Sequence, residues 1–311
     1  MASVSEAERV SVVIVSYNTK DLLRRCVDSI DSECEVIVVD NASTDGSLEM
    51  LRGLPRVKLI ENTSNLGFGA ANNKGIAAAT RPLILLLNSD ASATPDAINQ
   101  LASLFDSGEI VAAGGMLMNP DGSLQESCAN CLNLWAVYCE QSWLEKLFKG
   151  FSFFSPYWMS RRLVAAGPGP HEVAQVMGAC LMFRPVETFD ERFFLYCEDT
   201  ELCARLAKHG KILYVPPAKF YHDLGSSSSS MRWKAVAYYN CGKELYFRIH
   251  GGAFASFLCL LFDRMGALLR LLVWSLATVV TLGTKRSFAE KAAGFWKVLF
   301  APISYEGLKK Q

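Results

Sequence analysis

The chain has 311 residues, half of them hydrophobic and a fifth charged, which supplies apolar surface for a sizeable core and excludes wholesale disorder. Lysine plus arginine balances aspartate plus glutamate at 31 each, so the global basic footprint of a nucleic-acid binder is absent. The polar start MASVSEAERV shows no signal-peptide pattern, and ten cysteines without such a signal point to reduced thiols in a cytosol.

In chain order, Val10–Ser16 (VSVVIVS) is β-branched, apolar and too short for a helix, so it is predicted as a strand. Residues 19 to 30 place Leu22, Leu23, Cys26, Val27 and Ile30 at helical spacing. Glu35–Asp40 (EVIVVD) is a second buried strand, running into NASTDGS, a turn cluster able to cap a helix at SLEMLRGL. Val57–Glu61 is a third strand, residues 75 to 80 a short helix, and Leu83–Leu87 a fourth strand. Apolar strands alternating with helical stretches predict a mostly parallel sheet with helices on both faces. Ligands of such sheets bind beyond the carboxyl ends of the strands, where Ser16, Tyr17, Asp40 and Asp90 stand. The second half is less regular. Residues 114 to 131 read as loops and short strands, and 132 to 163 are rich in aromatics without a clear period. Residues 176 to 183 and 212 to 215 read as strands, a helix begins near Asp199, and the serine run 226–230 reads as a loop.

Four motifs carry chemistry. In LILLLNSDASATPD a buried strand ends in a carboxylate. Thr94 and Pro95 are expected to cap and open the next helix, which leaves Asp90 either to a structural turn or to a hard cation such as Mg2+ or Mn2+. NLGFGAAN contains Gly67-x-Gly69 but has Asn72 where a dinucleotide fingerprint needs its third glycine. The first turn of the chain, SYNTKD, has no glycine, so a nicotinamide-dependent oxidoreductase stands only as the rival reading. YCEDTELCARL sets Glu198, Asp199 and Glu201 close together, either as an acidic first helical turn or as the source of a general base. In FYHDLG, His222 follows a strand and is a structural residue or a metal or phosphate contact. A lone Cys128-x-x-Cys131 lacks the second ligand pair a zinc site needs.

Taken in order, VSVVIVSYN, VVDNASTDGS, NLGFGAANNKG, LLLNSD, GACLMFRP, FDERFFLYCEDTELCARL and the later histidine resemble the family 2 inverting glycosyltransferases of GT-A fold, and in particular their rhamnosyltransferase-like branch, which builds O-antigen, capsule or cell-wall saccharides. The resemblance covers roughly residues 10 to 250 and implies a GT-A domain over 1–250 followed by a helical, apolar and basic region over 251–311. It implies a nucleotide-sugar donor, a saccharide acceptor linked to a lipid, a divalent metal, Mg or Mn, and no nucleic acid. By the same resemblance, Ser16, Tyr17, Asp40, Gly69, Asn72, Asn73, Asn88 and Ser89 line the nucleotide-sugar site, and Asp90 and His222 hold the metal. Gly178 and Ala179 lie beside the acceptor, and Asp199 is the base, with Glu198 the alternative. Three departures matter. Asn88 replaces the first acid of the family's metal motif, so Asp90 carries most of its charge. Glu187-Thr188-Phe189 replaces a glycine pair, leaving that loop's shape open, and Glu201 is one methylene longer than the usual second acid. A non-catalytic relative acting as a partner is a further alternative, opposed by the retained Asp40, Asp90 and Asp199.

Residues 254 to 283 are strongly apolar, with only Asp263, Arg264 and Arg270 charged. The length of 265 to 284 would span a bilayer, but Arg270 is costly at depth. A buried helical pair, an in-plane helix and a spanning helix compete. The segment 285 to 311 carries a local excess of four positive charges interleaved with Phe295, Trp296 and Phe300, which favours peripheral attachment to the anionic inner face of the cell membrane.

Overall fold

The fold is described from a computed structural model, in which residues 6–223 and 232–309 are described. The serine run 226–230 lies outside the described residues. The strands are β1 (Val10–Ser16), β2 (Glu35–Asp40), β3 (Val57–Glu61), β4 (Leu83–Leu87), β5 (Ala91–Ala93), β6 (Ile110–Met118), β7 (Cys128–Ala129), β8 (His171–Glu172), β9 (Gln175–Val176), β10 (Cys180–Phe183) and β11 (Lys211–His222). The helices are α1 (Lys20–Asp28), α2 (Ser47–Arg52), α3 (Phe68–Ala78), α4 (Ala97–Ala102), α5 (Leu134–Gln141), α6 (Leu144–Leu147), α7 (Ser160–Ala166), α8 (Glu198–Leu206), α9 (Arg232–Val280), α10 (Arg286–Leu299) and α11 (Tyr305–Lys309). They group into two compact units, one of residues 1–131, 158–194 and 198–227, the other of 132–157, 195–197 and 228–311.

The first unit is built on one sheet in the order β3-β2-β1-β4-β10-β6-β11-β5, with β8 added to β11. β1, β2, β4 and β10 read as largely apolar runs because both faces are covered. Val10, Val12, Ile14, Val36, Val38, Leu83, Leu85 and Leu87 pack on one face with Leu23, Cys26 and Val27 of α1. Val13, Ile37, Ile84 and Leu86, the alternate positions, pack on the other with Leu202, Cys203 and Leu206 of α8. β1 to β4 are mutually parallel, and β10 runs antiparallel to both β4 and β6. β6 therefore runs with β4, and β11 pairs parallel to β6. One edge of the sheet thus collects the ends of β1, β2, β4, β6 and β11 and the beginning of β10.

Several elements differ from the sequence-based expectation. Thr94 and Pro95 do not open a helix. Ala91–Ala93 continues as a strand antiparallel to β11, Thr94 Oγ1 donates to the Lys219 carbonyl, and α4 starts after Asp96. The strand pairing wins because the β11 edge is offered immediately beyond the NSD turn. β6 is a nine-residue strand that begins before the stretch 114 to 131, expected as loops and short strands, and its glycines Gly114 and Gly115 give little β signal. α3 starts at Phe68, seven residues before its expected start. Asn72 and glycines at 69 and 75 weaken the local helical signal, yet Asn72 Nδ2 bonds back to the Phe68 carbonyl within the helix. A Cβ on Gly75 would lie 2.3 Å from Val13 Cγ1, so the glycine there serves close helix–sheet packing. β11 extends well past the expected Val215, interrupted in register where Pro216 and Pro217 fall.

The second unit is helical. α9 is bent at Gly252, whose φ of 77° lies outside helical space. The three charges of its apolar half all have partners within this unit. Lys243 Nζ meets Asp263 Oδ1 at 2.6 Å with both side chains buried. Arg264 donates to the carbonyls of Val298, Leu299 and Ala301 at the end of α10. Arg270 donates to the carbonyls of Gln141 and Glu140 at the end of α5 and lies over the Trp143 ring. Both arginines meet the negative end of a helix macrodipole, which accounts for cations in an apolar segment. Among the described residues no helix is long and apolar enough to cross a membrane.

Candidate active site

The turn after β1 and the turn after β2 are laced together at the shared edge. Asn41 N donates to the Ser16 carbonyl, Asn18 N donates to Ser43 Oγ, and Asn18 Oδ1 accepts from Thr44 N. Asp40 is fully buried, and its Oδ2 accepts from Ser43 N at 2.8 Å, while Oδ1 has no partner among the described residues. Tyr17, which follows Ser16, the β1 partner of Asp40, is 47% exposed. A buried carboxylate oxygen left open at the end of a strand is a feature that folding alone does not require. Asn41 Nδ2 holds the Gly67 carbonyl and Asn41 Oδ1 accepts from Asn62, whose own Oδ1 accepts from Lys74 Nζ at 2.6 Å. This network ties the start of α3 to the edge. Gly67 has φ 89°, and a Cβ there would lie 2.4 Å from the Phe194 carbonyl oxygen, so no other residue fits that turn.

The next strand supplies Asn88, Ser89 and Asp90. Thr19 Oγ1 bridges from the β1 turn to Ser89 Oγ at 2.9 Å, at the point where strand order reverses between β1 and β4. Asp90 Oδ1 lies 3.2 Å from His222 Nε2, and Asn88 Nδ2 approaches the same nitrogen at 3.2 Å. Asn88 Oδ1 is buried and without a partner among the described residues. A cavity of about 320 Å³, lined by residues including Arg25, Asp90, Tyr221 and His222, opens beside this group.

The acids of α8 separate into three environments. Glu201 is buried against Arg205, with contacts of 2.8–3.0 Å, and Arg205 also reaches Glu187 and the Thr188 carbonyl. That clamp replaces the backbone freedom of a glycine pair and fixes the loop at 187–189. Asp199 Oδ2 accepts from Gly178 N at 2.9 Å, and its Oδ1 accepts from Thr200 N at 2.7 Å. Burial raises its pKa and these N–H groups pull it back. Burial and the neighbouring Asp199 charge push Glu198 up to about 8, and its Oε2 has no partner among the described residues. Tyr196 and Cys197, with φ of 69° and 65°, immediately precede this turn, a strained conformation for bulky residues.

Gly178 thus sits against Asp199, with Asp199 Cβ and the Phe68 ring both lining the space a Cβ there would take, and the Ala179 carbonyl accepts from Asn88 N. Gly69 packs on Phe189, and Asn72 is buried in α3. Asn73 is engaged elsewhere. Its amide brackets the Phe189 backbone, accepting from its N–H and donating to its carbonyl, with Glu191 as a further acceptor. Two features carry no motif in the sequence: the Asn41–Asn62–Lys74 network, and Gln125, which joins His222 Nδ1 at 3.0 Å. The only hint of the latter is the turn signature NPDGS just after a strand.

The chemistry of the Asn88–Asp90–His222 group suits a cation. It presents a carboxylate oxygen, an imidazole nitrogen and an unpartnered amide oxygen, all electron-pair donors. Among the described residues no three His, Cys, Asp or Glu side chains gather into a metal site.

The architecture is the GT-A fold. A mannosyltransferase from Pyrobaculum calidifontis, solved with GDP-Man and Mn2+, superposes with a TM-score of 0.54 at 14% identity, covering 94% of this chain and 85% of that one. GalNAc-T7, solved with UDP, GalNAc and Mn2+, gives 0.50 at 17% identity over 76% of this chain and 50% of its own. The family model for glycosyl transferase family 2 matches residues 11–165, and the chain belongs to that family. Among curated relatives, an N-acetylglucosaminyl-diphospho-decaprenol L-rhamnosyltransferase of Mycobacterium tuberculosis is 29% identical over 240 residues, 70% of this chain and 76% of that protein.

Proposed function

We propose that the chain is an inverting, metal-dependent transferase that moves a deoxyhexose, rhamnose, from a nucleoside diphosphate to a hydroxyl of a lipid-linked saccharide in cell-surface polysaccharide synthesis. The observation that carries this reading is the convergence, at one sheet edge, of the open Asp40 oxygen, the Asn88–Asp90–His222 donor group and the pinned Asp199. The similarity to a rhamnosyltransferase acting on a diphospho-decaprenol saccharide supports the choice of sugar and acceptor class.

In this reading Ser16, Tyr17 and Asp40 hold the nucleoside, with Gly69, Asn72, Asn88 and Ser89 forming the rest of the donor site and Asn73 bracing the loop at Phe189. Asp90 and His222 hold Mg2+ or Mn2+. Such an ion, when bound, supplies charge neutralisation to the leaving diphosphate. Asp199 accepts the proton of the acceptor hydroxyl as its oxygen bonds to the sugar C1. The bond from C1 to the diphosphate breaks on the opposite face, inverting that carbon. Gly178 and Ala179 leave room for the acceptor beside Asp199. The catalytic domain is assigned to residues 1–250. The region 251–311, with its exposed apolar helix face and basic α10, is assigned to the inner surface of the cell membrane, where a lipid-linked acceptor resides. The test is transfer from dTDP-rhamnose, UDP-glucose and GDP-mannose to an N-acetylglucosaminyl-diphospho-polyprenol with Mn2+. Rhamnosyl product from the first donor is expected. Product from another donor alone would overturn the sugar, and no product from any donor would overturn the acceptor class.

A further inference from the structure

Gln125 is a buried polar residue that the transfer reaction does not itself require. It is delivered by the tight turn Asn119-Pro120-Asp121-Gly122 that follows β6, closed by Gly122 N donating to the Asn119 carbonyl, with Gly122 at φ 81°. Gln125 N then returns to the Leu117 carbonyl. Its side chain makes three contacts. Nε2 donates to the backbone carbonyl of His222 and to Asn119 Oδ1 at 2.7 Å, and Oε1 lies 3.0 Å from His222 Nδ1.

The directions of these bonds follow from two groups that can only accept. The first is the His222 carbonyl, which obliges the nitrogen end of the Gln125 amide to face it. The second lies at the far end of a chain. Asp121 Oδ1 accepts from Ser123 Oγ at 2.6 Å, so Ser123 Oγ accepts from Asn119 Nδ2 at 2.8 Å. Asn119 Oδ1 then faces Gln125 Nε2. Both ends give one answer: Gln125 Oε1 is the acceptor, and His222 Nδ1 carries the proton. Nε2, the other ring nitrogen, faces Asn88 Nδ2 and Asp90 Oδ1, each at 3.2 Å.

We propose that Gln125 is a positioning residue, and that the relay Asp121–Ser123–Asn119–Gln125 fixes His222 as the Nδ1–H tautomer so that Nε2 is offered as a ligand beside Asp90. The inference rests on the reading of Asp90 and His222 as a metal-holding pair. Groups that hydrogen-bond the free ring nitrogen of a metal-binding histidine act in this way, and their loss costs about 10–100-fold in metal affinity.

The test uses the full chain labelled with 15N-histidine at mildly alkaline pH. The chain has four histidines, and the His222 signals are assigned by their loss in His222→Gln. The wild type is expected to show a protonated Nδ1 and an unprotonated Nε2. Gln125→Leu is expected to lose this tautomer and to weaken Mn2+ binding in the presence of dTDP, read from the free-ion resonance, by about 10–100-fold. Gln125→Glu keeps an acceptor for Nδ1–H but sets an oxygen against the His222 carbonyl and Asn119 Oδ1, so it is expected to keep the tautomer with only part of the affinity. Ser123→Ala breaks the relay on the exposed turn, and an intermediate loss is expected there even if Gln125→Leu fails to fold. A protonated Nε2 in the wild type would overturn the relay while leaving the metal reading intact, as would an unchanged tautomer and Mn2+ affinity in Gln125→Leu. The expected tautomer without Mn2+-dependent dTDP binding in the wild type would instead overturn the metal reading and the purpose assigned to Gln125.

Discussion

Asp199 accepts hydrogen bonds from two backbone N–H groups, whereas the Glu198 carboxyl beside it keeps a buried oxygen with no partner among the described residues. The first environment favours a carboxylate and the second a protonated acid, with Glu198 pushed up to about 8. Asp199→Asn is therefore expected to lower transfer by about 10²–10⁴-fold with donor binding unchanged, while Glu198→Gln, which mimics the protonated acid, keeps transfer within a few-fold at neutral pH. Comparable loss in both variants would shift the base to Glu198. Because a base must be ionised and burial raises the Asp199 pKa, kcat/KM should climb with pH through an inflection above the ordinary aspartate range. Glu198 also links stability to pH. Its folded pKa of about 8 exceeds the ordinary glutamate value of 4.5, so its contribution is fully present below 4.5 and is lost as pH rises through 8. Melting temperatures measured across that window should fall less steeply in Glu198→Gln than in the wild type.

The central strands were legible in the sequence because burial on both faces leaves an unbroken apolar run, as in Leu83–Leu87, with turn residues directly after it. Other elements were not, because their signals are tertiary. Thr94 and Pro95 have the local chemistry of a helix start, but the exposed edge of β11 captures the preceding residues. Phe68 opens a helix through a turn that only Gly67 permits. The order of the site acids along the chain was readable, whereas the sorting of Glu198, Asp199 and Glu201 depends on Arg205, Gly178 and burial, which no local pattern encodes. Gly67→Ala should accordingly destabilise by about 1–3 kcal/mol, from a positive φ and a clash with the Phe194 carbonyl, as read by urea denaturation. In the helical unit, Lys243→Met leaves Asp263 buried without its cation and should cost about 3–5 kcal/mol. The double variant with Asp263→Leu should recover most of that loss. Equal instability of single and double variants would mean the pair is not coupled.

Across the molecule, the feature that most exceeds the needs of folding is the face of α9 bearing Phe254, Phe257, Leu261, Leu268, Leu272, Leu276 and Val279, all exposed. These positions recur at helical spacing along about 40 Å, and Asp263, Arg264 and Arg270 turn away from them to internal partners. If this face meets a bilayer, the protein should float with vesicles containing phosphatidylglycerol, bind less at high salt, and lose most binding in Leu272→Ser/Leu276→Ser at unchanged melting temperature. Retention in solution with vesicles at low salt would contradict that assignment. The central claim concerns the other unit, where Asp90 and His222 meet beside Asp40 and Asp199. Its most direct test is calorimetric titration of dTDP, UDP and GDP into the wild type and Asp90→Ala, each with and without Mn2+. The account predicts tight binding of one nucleotide that requires Mn2+ in the wild type and loses that requirement with its affinity in Asp90→Ala. Nucleotide binding indifferent to Mn2+, or Mn2+ dependence preserved in Asp90→Ala, would contradict it.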